Sequence, residues 1–158
     1  MKKILLLMSI FFMAAASLVA QKVNSTATSA TYKTAVGVKF YPGAISFKQF
    51  VSNNNAIELL GYFRNYGARI TGLYEIHGNI SNAGGLKYYV GPGAHVSFYS
   101  SKVGGGGSVG IDGVLGLDYK VPSAPINLSL DWQPSFDFKS LDGFISDWFG
   151  IAIRYTIK

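Results

Sequence analysis

From Tyr32 onward, apolar and polar side chains alternate with a period close to two, and turn residues break the alternation about every ten positions. The pattern predicts antiparallel strands joined by short connections. A first strand over Tyr32–Tyr41 sets Thr34, Val36, Val38 and Phe40 against Lys33, Ala35, Gly37 and Lys39, and Pro42-Gly43 turns the chain. A second strand covers Ile45–Val51, with a helix over Ser46–Val51 as the competing reading, and Ser52–Asn55 turns again. Strands three and four, Ala56–Asn65 and Ala68–His77, set Ile57, Leu59, Ile70 and Ile76 opposite Glu58, Arg64, Arg69 and Glu75. Strand five, Leu86–Tyr99, contains Pro92, which lacks a ladder donor and predicts a bulge or bend there. Strand six is Ser108–Lys120. Strand seven sets Ile126, Leu128, Leu130 and Trp132 against Asn127, Ser129, Asp131 and Gln133, and a loop at Lys139–Asp147 precedes strand eight. That last strand places Phe149, Ile151, Ile153, Tyr155 and Ile157 on one face and Gly150, Ala152, Arg154 and Thr156 on the other.

The alternation begins only after a different kind of segment. Lys2 and Lys3, an apolar run from Ile4 to Met13 and the small residues Ala14–Ser17 form the pattern of a secretory signal peptide, cleaved before Gln21 or nearer Ala16. The run is shorter than the ~20 residues a spanning helix needs. Three regions follow: residues 1–20 as signal peptide, 21–31 as a short N-terminal segment, and 32–158 as a β-barrel domain. The chain has no cysteine, which excludes disulfides, thiol chemistry and a lipoprotein anchor. Its formal charge of +6 falls to +4 once Lys2 and Lys3 leave, with no basic cluster, so no nucleic-acid partner is expected.

Parity separates two very different faces. One collects Lys39, Lys48, Glu58, Arg64, Arg69, Glu75, Lys87, Asp112, Asp118, Asp131 and Arg154 together with small residues. The other collects bulky aliphatic and aromatic side chains. A secreted sandwich or soluble barrel would turn the apolar face inward. An export signal and an amphipathic closing strand favour the opposite arrangement. The expected fold is all-β: an eight-stranded antiparallel up-and-down transmembrane β-barrel, its termini on one side and its lumen packed with ion pairs. Tyr32, Phe40, Phe63, Tyr119, Trp132, Phe149 and Tyr155 near strand ends suit interfacial girdles.

Little in the chain carries catalytic chemistry. His95-Val96-Ser97 puts an imidazole and a hydroxyl on one face of a strand, with Asp112 or Asp118 on the next, the parts of an acyl-transfer site. This spacing resembles the His-x-Ser arrangement of outer-membrane lipid A 3-O-deacylases, but here both residues point to the inward face. Gly104–Gly107 lacks the Lys-Ser or Lys-Thr of a phosphate loop. The loop pair Asp142 and Asp147 could loosely hold calcium, but two carboxylates alone are more often solvated, and no cofactor or metal is expected.

The whole mature chain resembles the small porin-family outer-membrane β-barrel proteins of the OmpA/OmpX transmembrane type. The segments carrying the resemblance are Val36–Phe40, Ala56–Gly61, Ile126–Trp132 and Gly150–Tyr155. It implies an outer-membrane location, with membrane lipids and the barrel-assembly machinery as partners. The implied role is non-enzymatic: envelope integrity, or surface loops binding an unidentified ligand. The alternatives are a lipid-modifying acyl hydrolase using His95 and Ser97, and a narrow solute channel. The chain ends Ile157-Lys158, where such proteins commonly end on an aromatic residue.

Overall fold

The computed structural model describes residues 32–65, 67–80, 83–103, 105–139 and 143–157. The expected signal peptide at 1–20, the segment 21–31, Asp142 and Lys158 lie outside them. Among the described residues ten strands form in chain order: β1 (Thr34–Lys39), β2 (Ala44–Phe50), β3 (Asn55–Arg64), β4 (Gly67–Asn79), β5 (Leu86–Tyr99), β6 (Gly106–Lys120), β7 (Ile126–Trp132), β8 (Ser135–Asp137), β9 (Phe144–Ile145) and β10 (Phe149–Ile157). The only helical turn among the described residues is a three-residue 3₁₀ turn at Ser101–Val103. Each strand from β1 to β6 pairs antiparallel with the next, β7 pairs with β10, and β10 pairs with β1. The sheet is therefore a closed, eight-stranded, up-and-down antiparallel barrel. β8 and β9 continue the walls of β7 and β10 beyond short breaks.

The seam between β1 and β10 runs Thr34↔Ile157 through Lys39↔Ala152. The Tyr41–Pro42 peptide is cis and Gly43 has φ 98°, completing the tight β1–β2 turn. Wall height is uneven: β1 and β2 have 6 and 7 residues, whereas β5 and β6 have 14 and 15. The β1–β2, β3–β4, β5–β6 and β8–β9 connections share one end of the barrel, the loop end. Both ends of the described barrel share the opposite end with the other turns.

Polarity decides how this barrel is built. Val38, Ile57, Leu59, Ile70, Ile76, Val90, Ile111, Leu115 and Ile153 point outward and are 42–54% exposed. Lys48, Glu58, Glu75 and Arg154 point inward at 1% exposure or less. A smaller apolar cluster of Ala44, Leu60, Tyr62, Leu73, Tyr89 and Val114, with Trp148 against it, fills the lumen between the charges. The wall is thus apolar outside and polar inside.

The expected second strand forms over Ala44–Phe50 and the competing helix does not, because Ser46 and Lys48 face the lumen while Ile45 and Phe47 face out. Other local expectations are corrected. Pro92 makes no bulge: the β4–β5 register keeps step on both sides of it, and only the pairings of Tyr74 and Glu75 opposite Pro92 and Gly91 drop out. Tyr32 and Lys33 leave the alternation before β1 begins. Tyr32 turns into the lumen at 6% exposure and Lys33 turns out, so Tyr32 belongs to no girdle. The stretch expected as a loop at Lys139–Asp147 contains β9, which pairs with β8.

Candidate functional site

The inward side chains form three connected polar layers. In the layer nearest the termini, Arg154 on β10 donates to Ser46 (2.6 Å), Asn127 (3.1 Å), Ser129 (2.8 Å) and the Glu58 carboxylate. Lys48 on β2 lies 2.8 Å from Glu75, 3.4 Å from Asp118 and 3.9 Å from Glu58. Asp118 also accepts from Asn127 (2.7 Å) and from the Tyr32 hydroxyl (3.2 Å). His77 stacks between Phe50 and Tyr89, with Nε2 3.4 Å from Glu75. Taking ions from water costs several kcal/mol each, so only this density of partners makes the layer tenable.

In the middle layer Lys39 pairs with Asp131 at 2.5 Å and donates to Gln133 at 3.1 Å. Tyr89 donates to Asp131 (2.8 Å) and Tyr62 to Gln133 (3.0 Å). Gln133 in turn donates to Asp112 (3.3 Å), joining this layer to the third. There Arg69 pairs with Asp112 at 2.5 Å and lies 4.3 Å over the Trp148 ring. The other Asp112 oxygen is 2.8 Å from His95 Nδ1, and His95 Nε2 faces Asp137 at 3.6 Å. Ser108 donates to Asp137 at 2.6 Å. An open cleft of about 470 Å³ at the loop end is lined by Tyr99, Gly105, Gly107, Ser108, Asp137 and Lys139.

Strand register explains how these partners meet. Gly37 lies between Arg154 and Ser46 across β10, β1 and β2; Gly116 lies between Tyr89 and Asp131 across β5, β6 and β7. Gly110 lies between His95 and Asp137 across β5, β6 and β8. In each row the central glycine leaves a gap over which the two flanking side chains reach each other. A Cβ at Gly37 would overlap the Ile153 carbonyl, and one at Gly116 or Gly110 would strike the ring of Tyr89 or His95.

Of the residues singled out by parity, Lys39, Lys48, Glu58, Arg69, Glu75, Asp112, Asp118, Asp131 and Arg154 meet inside. Two do not. Arg64 is exposed at the end of β3, where the wall stops and its side chain reaches water. Lys87 is half-buried near the terminus end, 5.7 Å over the Phe50 ring, with no carboxylate partner among the described residues. Sequence reasoning missed Asp137; parity puts Gln133, Tyr62 and Tyr89 on the inward face, where they are found, but does not single them out as members of the network. The signal for Asp137 was present: Gln133, Ser135 and Asp137 continue the inward parity past Pro134, with Phe136 and Phe138 facing out.

His95 and Ser97 both lie inside the barrel, but the imidazole is engaged with Asp112 and faces Asp137 rather than Ser97. A base and an orienting carboxylate are present, without the hydroxyl nucleophile in line. Asp147 is exposed and joins no cluster. Comparison of the chain with protein families, curated proteins and solved structures finds no match in any of the three.

Proposed function

We propose that this chain is an outer-membrane β-barrel protein of the small porin-like kind, exported by residues 1–20 as a cleaved signal peptide. Its role is non-enzymatic: a packed, salt-bridged barrel that serves envelope integrity or presents loops for surface interaction. One observation carries the reading. The closed wall exposes a belt of aliphatic and aromatic side chains while burying Lys39, Lys48, Arg69, Arg154 and six carboxylates. In water this arrangement would expose apolar surface on every side of the barrel, far beyond the few hundred Å² typical of a soluble monomer. In a bilayer the same belt meets hydrocarbon, and closure leaves no open strand edge around the wall, as lipid demands. Phe40, Phe63, Phe149 and Tyr155, all 51–68% exposed near strand ends, supply the interfacial aromatics. The filled lumen argues against an open path for solutes.

The test uses the absence of cysteine. Single cysteines replacing Leu59 (48% exposed) or Ser129 (4% exposed) are labelled with an environment-sensitive fluorophore after refolding into liposomes. Quenching of the Leu59 label by brominated acyl chains, with the Ser129 site protected, is the expected result. Recovery of the unmodified chain as a stable soluble species that ignores vesicles would overturn the proposal.

A further inference from the structure

The third polar layer contains a group that the ion-pair lattice leaves unused. His95 is 4% exposed; its Nδ1 is committed to Asp112 at 2.8 Å, and Asp112 is held from its other oxygen by Arg69. His95 Nε2 is buried with no hydrogen-bond partner. It points over Gly110 at Asp137 Oδ2, 3.6 Å away, which is too long for a hydrogen bond. With the Nδ1 proton donated to Asp112, the Nε2 lone pair faces a carboxylate oxygen directly. Asp137 Oδ2 accepts from Ser108 at 2.6 Å and has a second acceptor position, so an electrophile held between it and His95 Nε2 would be bound by both.

The spacing selects what that is. A ligand nitrogen or hydroxyl bridging both atoms by ordinary hydrogen bonds would hold them about 4.6 Å apart. Two metal bonds of about 2.1 Å, meeting near the tetrahedral angle, hold their donors about 3.4 Å apart. A carboxylate that fixes the far nitrogen of a metal-binding imidazole is the usual outer support of such a ligand, and Asp112 occupies that position. We propose that His95 Nε2 and Asp137 Oδ2 form a site for a divalent transition-metal cation of the zinc type at the loop end of the lumen. Imidazole with carboxylate suits such an ion better than calcium or magnesium, which prefer all-oxygen shells. Among the described residues no three His, Asp or Glu side chains converge, so the protein supplies two donors of this kind. Water completes the shell, joined by the Ser108 hydroxyl, which already touches Asp137 at 2.6 Å. Asp137 and Ser108 line the open cleft of about 470 Å³, which provides the entry path. Asp137 keeps its other oxygen on the Lys139 amide (2.9 Å), and the Lys139 ammonium is engaged by the Gly107 carbonyl (2.7 Å).

The experiment titrates Zn²⁺ alone into the tag-free chain refolded in detergent micelles, by calorimetry and by ¹⁵N spectra of the imidazoles. One saturable equivalent is expected, with a shift confined to His95 Nε2. Asp137→Asn and His95→Gln should each weaken binding by roughly tenfold or more. His77→Gln should leave it unchanged, because the Glu75 oxygen that His77 Nε2 faces at 3.4 Å is already held by the Lys48 cation at 2.8 Å and lies away from the cleft. No saturable binding to folded protein would overturn the proposal, as would binding indifferent to Asp137→Asn. Should His95→Gln fail to fold, the wild-type spectrum still decides. A doubly protonated His95 that does not respond to Zn²⁺ means that a proton holds the place assigned to the metal, and the site is refuted.

Discussion

Replacing Arg154 with methionine keeps the aliphatic stem in place and deletes the guanidinium at the centre of the first polar layer. Ser46, Asn127, Ser129 and Glu58 then lose their shared donor. Glu58 retains the Ser46 hydroxyl at 2.5 Å and the Lys48 ammonium at 3.9 Å. Lys48 already serves Glu75 at 2.8 Å and Asp118 at 3.4 Å, so a single cation is left among three carboxylates. Removing one partner of a buried pair costs about 3–5 kcal/mol, most of it from stranding the other charge. Urea unfolding from micelles, followed by the fluorescence of Trp132 and Trp148, measures the loss. With a slope of about 1–3 kcal/mol/M, the midpoint should fall by at least about 1 M. Glu58→Gln in the same chain removes the stranded charge, so the double variant should be more stable than the sum of the single losses by about 1 kcal/mol or more. A midpoint unmoved by Arg154→Met, or strictly additive variants, would refute the view of this layer as one energetic unit.

Other outcomes follow from the same geometry. Ile153→Arg, on the outer face beside Arg154, should cost about 2–4 kcal/mol in a bilayer if the site lies near the midplane. A water-facing wall would register no more than about 0.5 kcal/mol, so the vesicle unfolding midpoint separates the two environments. Gly37→Val should cost about 1–3 kcal/mol or more through overlap with the β10 backbone, read as loss of the heat-modifiable compact band on gels. Expression of wild-type and His95→Ala chains should give identical lipid A acylation profiles by mass spectrometry; a difference would restore the hydrolase reading. Planar-bilayer recordings of refolded protein should show no discrete openings, and steady unitary events would contradict a filled lumen.

Much of this architecture was legible because strand parity is a strict two-fold rule. Once Arg154 was placed opposite Ile153 and Tyr155, its side of the wall followed, and Glu58, Asp118 and Asp131 joined it by the same logic. Parity has no information about where a wall ends, which is why it places Arg64 in the lumen although β3 stops there. Nor does it survive a change of backbone direction, so it puts Tyr32 on the wrong face two residues before β1. Pairing between layers was hidden for a different reason. His95 meets Asp137 only because of a register across three strands and a missing side chain at Gly110, and register is a property of the assembled sheet.

The seam between β1 and β10 carries a consequence for how the molecule comes into being. The barrel has no free edge only when its first and last strands lie side by side, and they are separated by nearly the whole length of the sheet. Until Phe149–Ile157 exists, every partial product presents two open rows of backbone donors and acceptors and an uncovered apolar flank. Most of the lattice around Arg154 is also absent, since its hub sits in that final strand. Nothing can be finished early. Closure therefore comes last, because a chain without Phe149–Ile157 forfeits the seam and the centre of its interior at once.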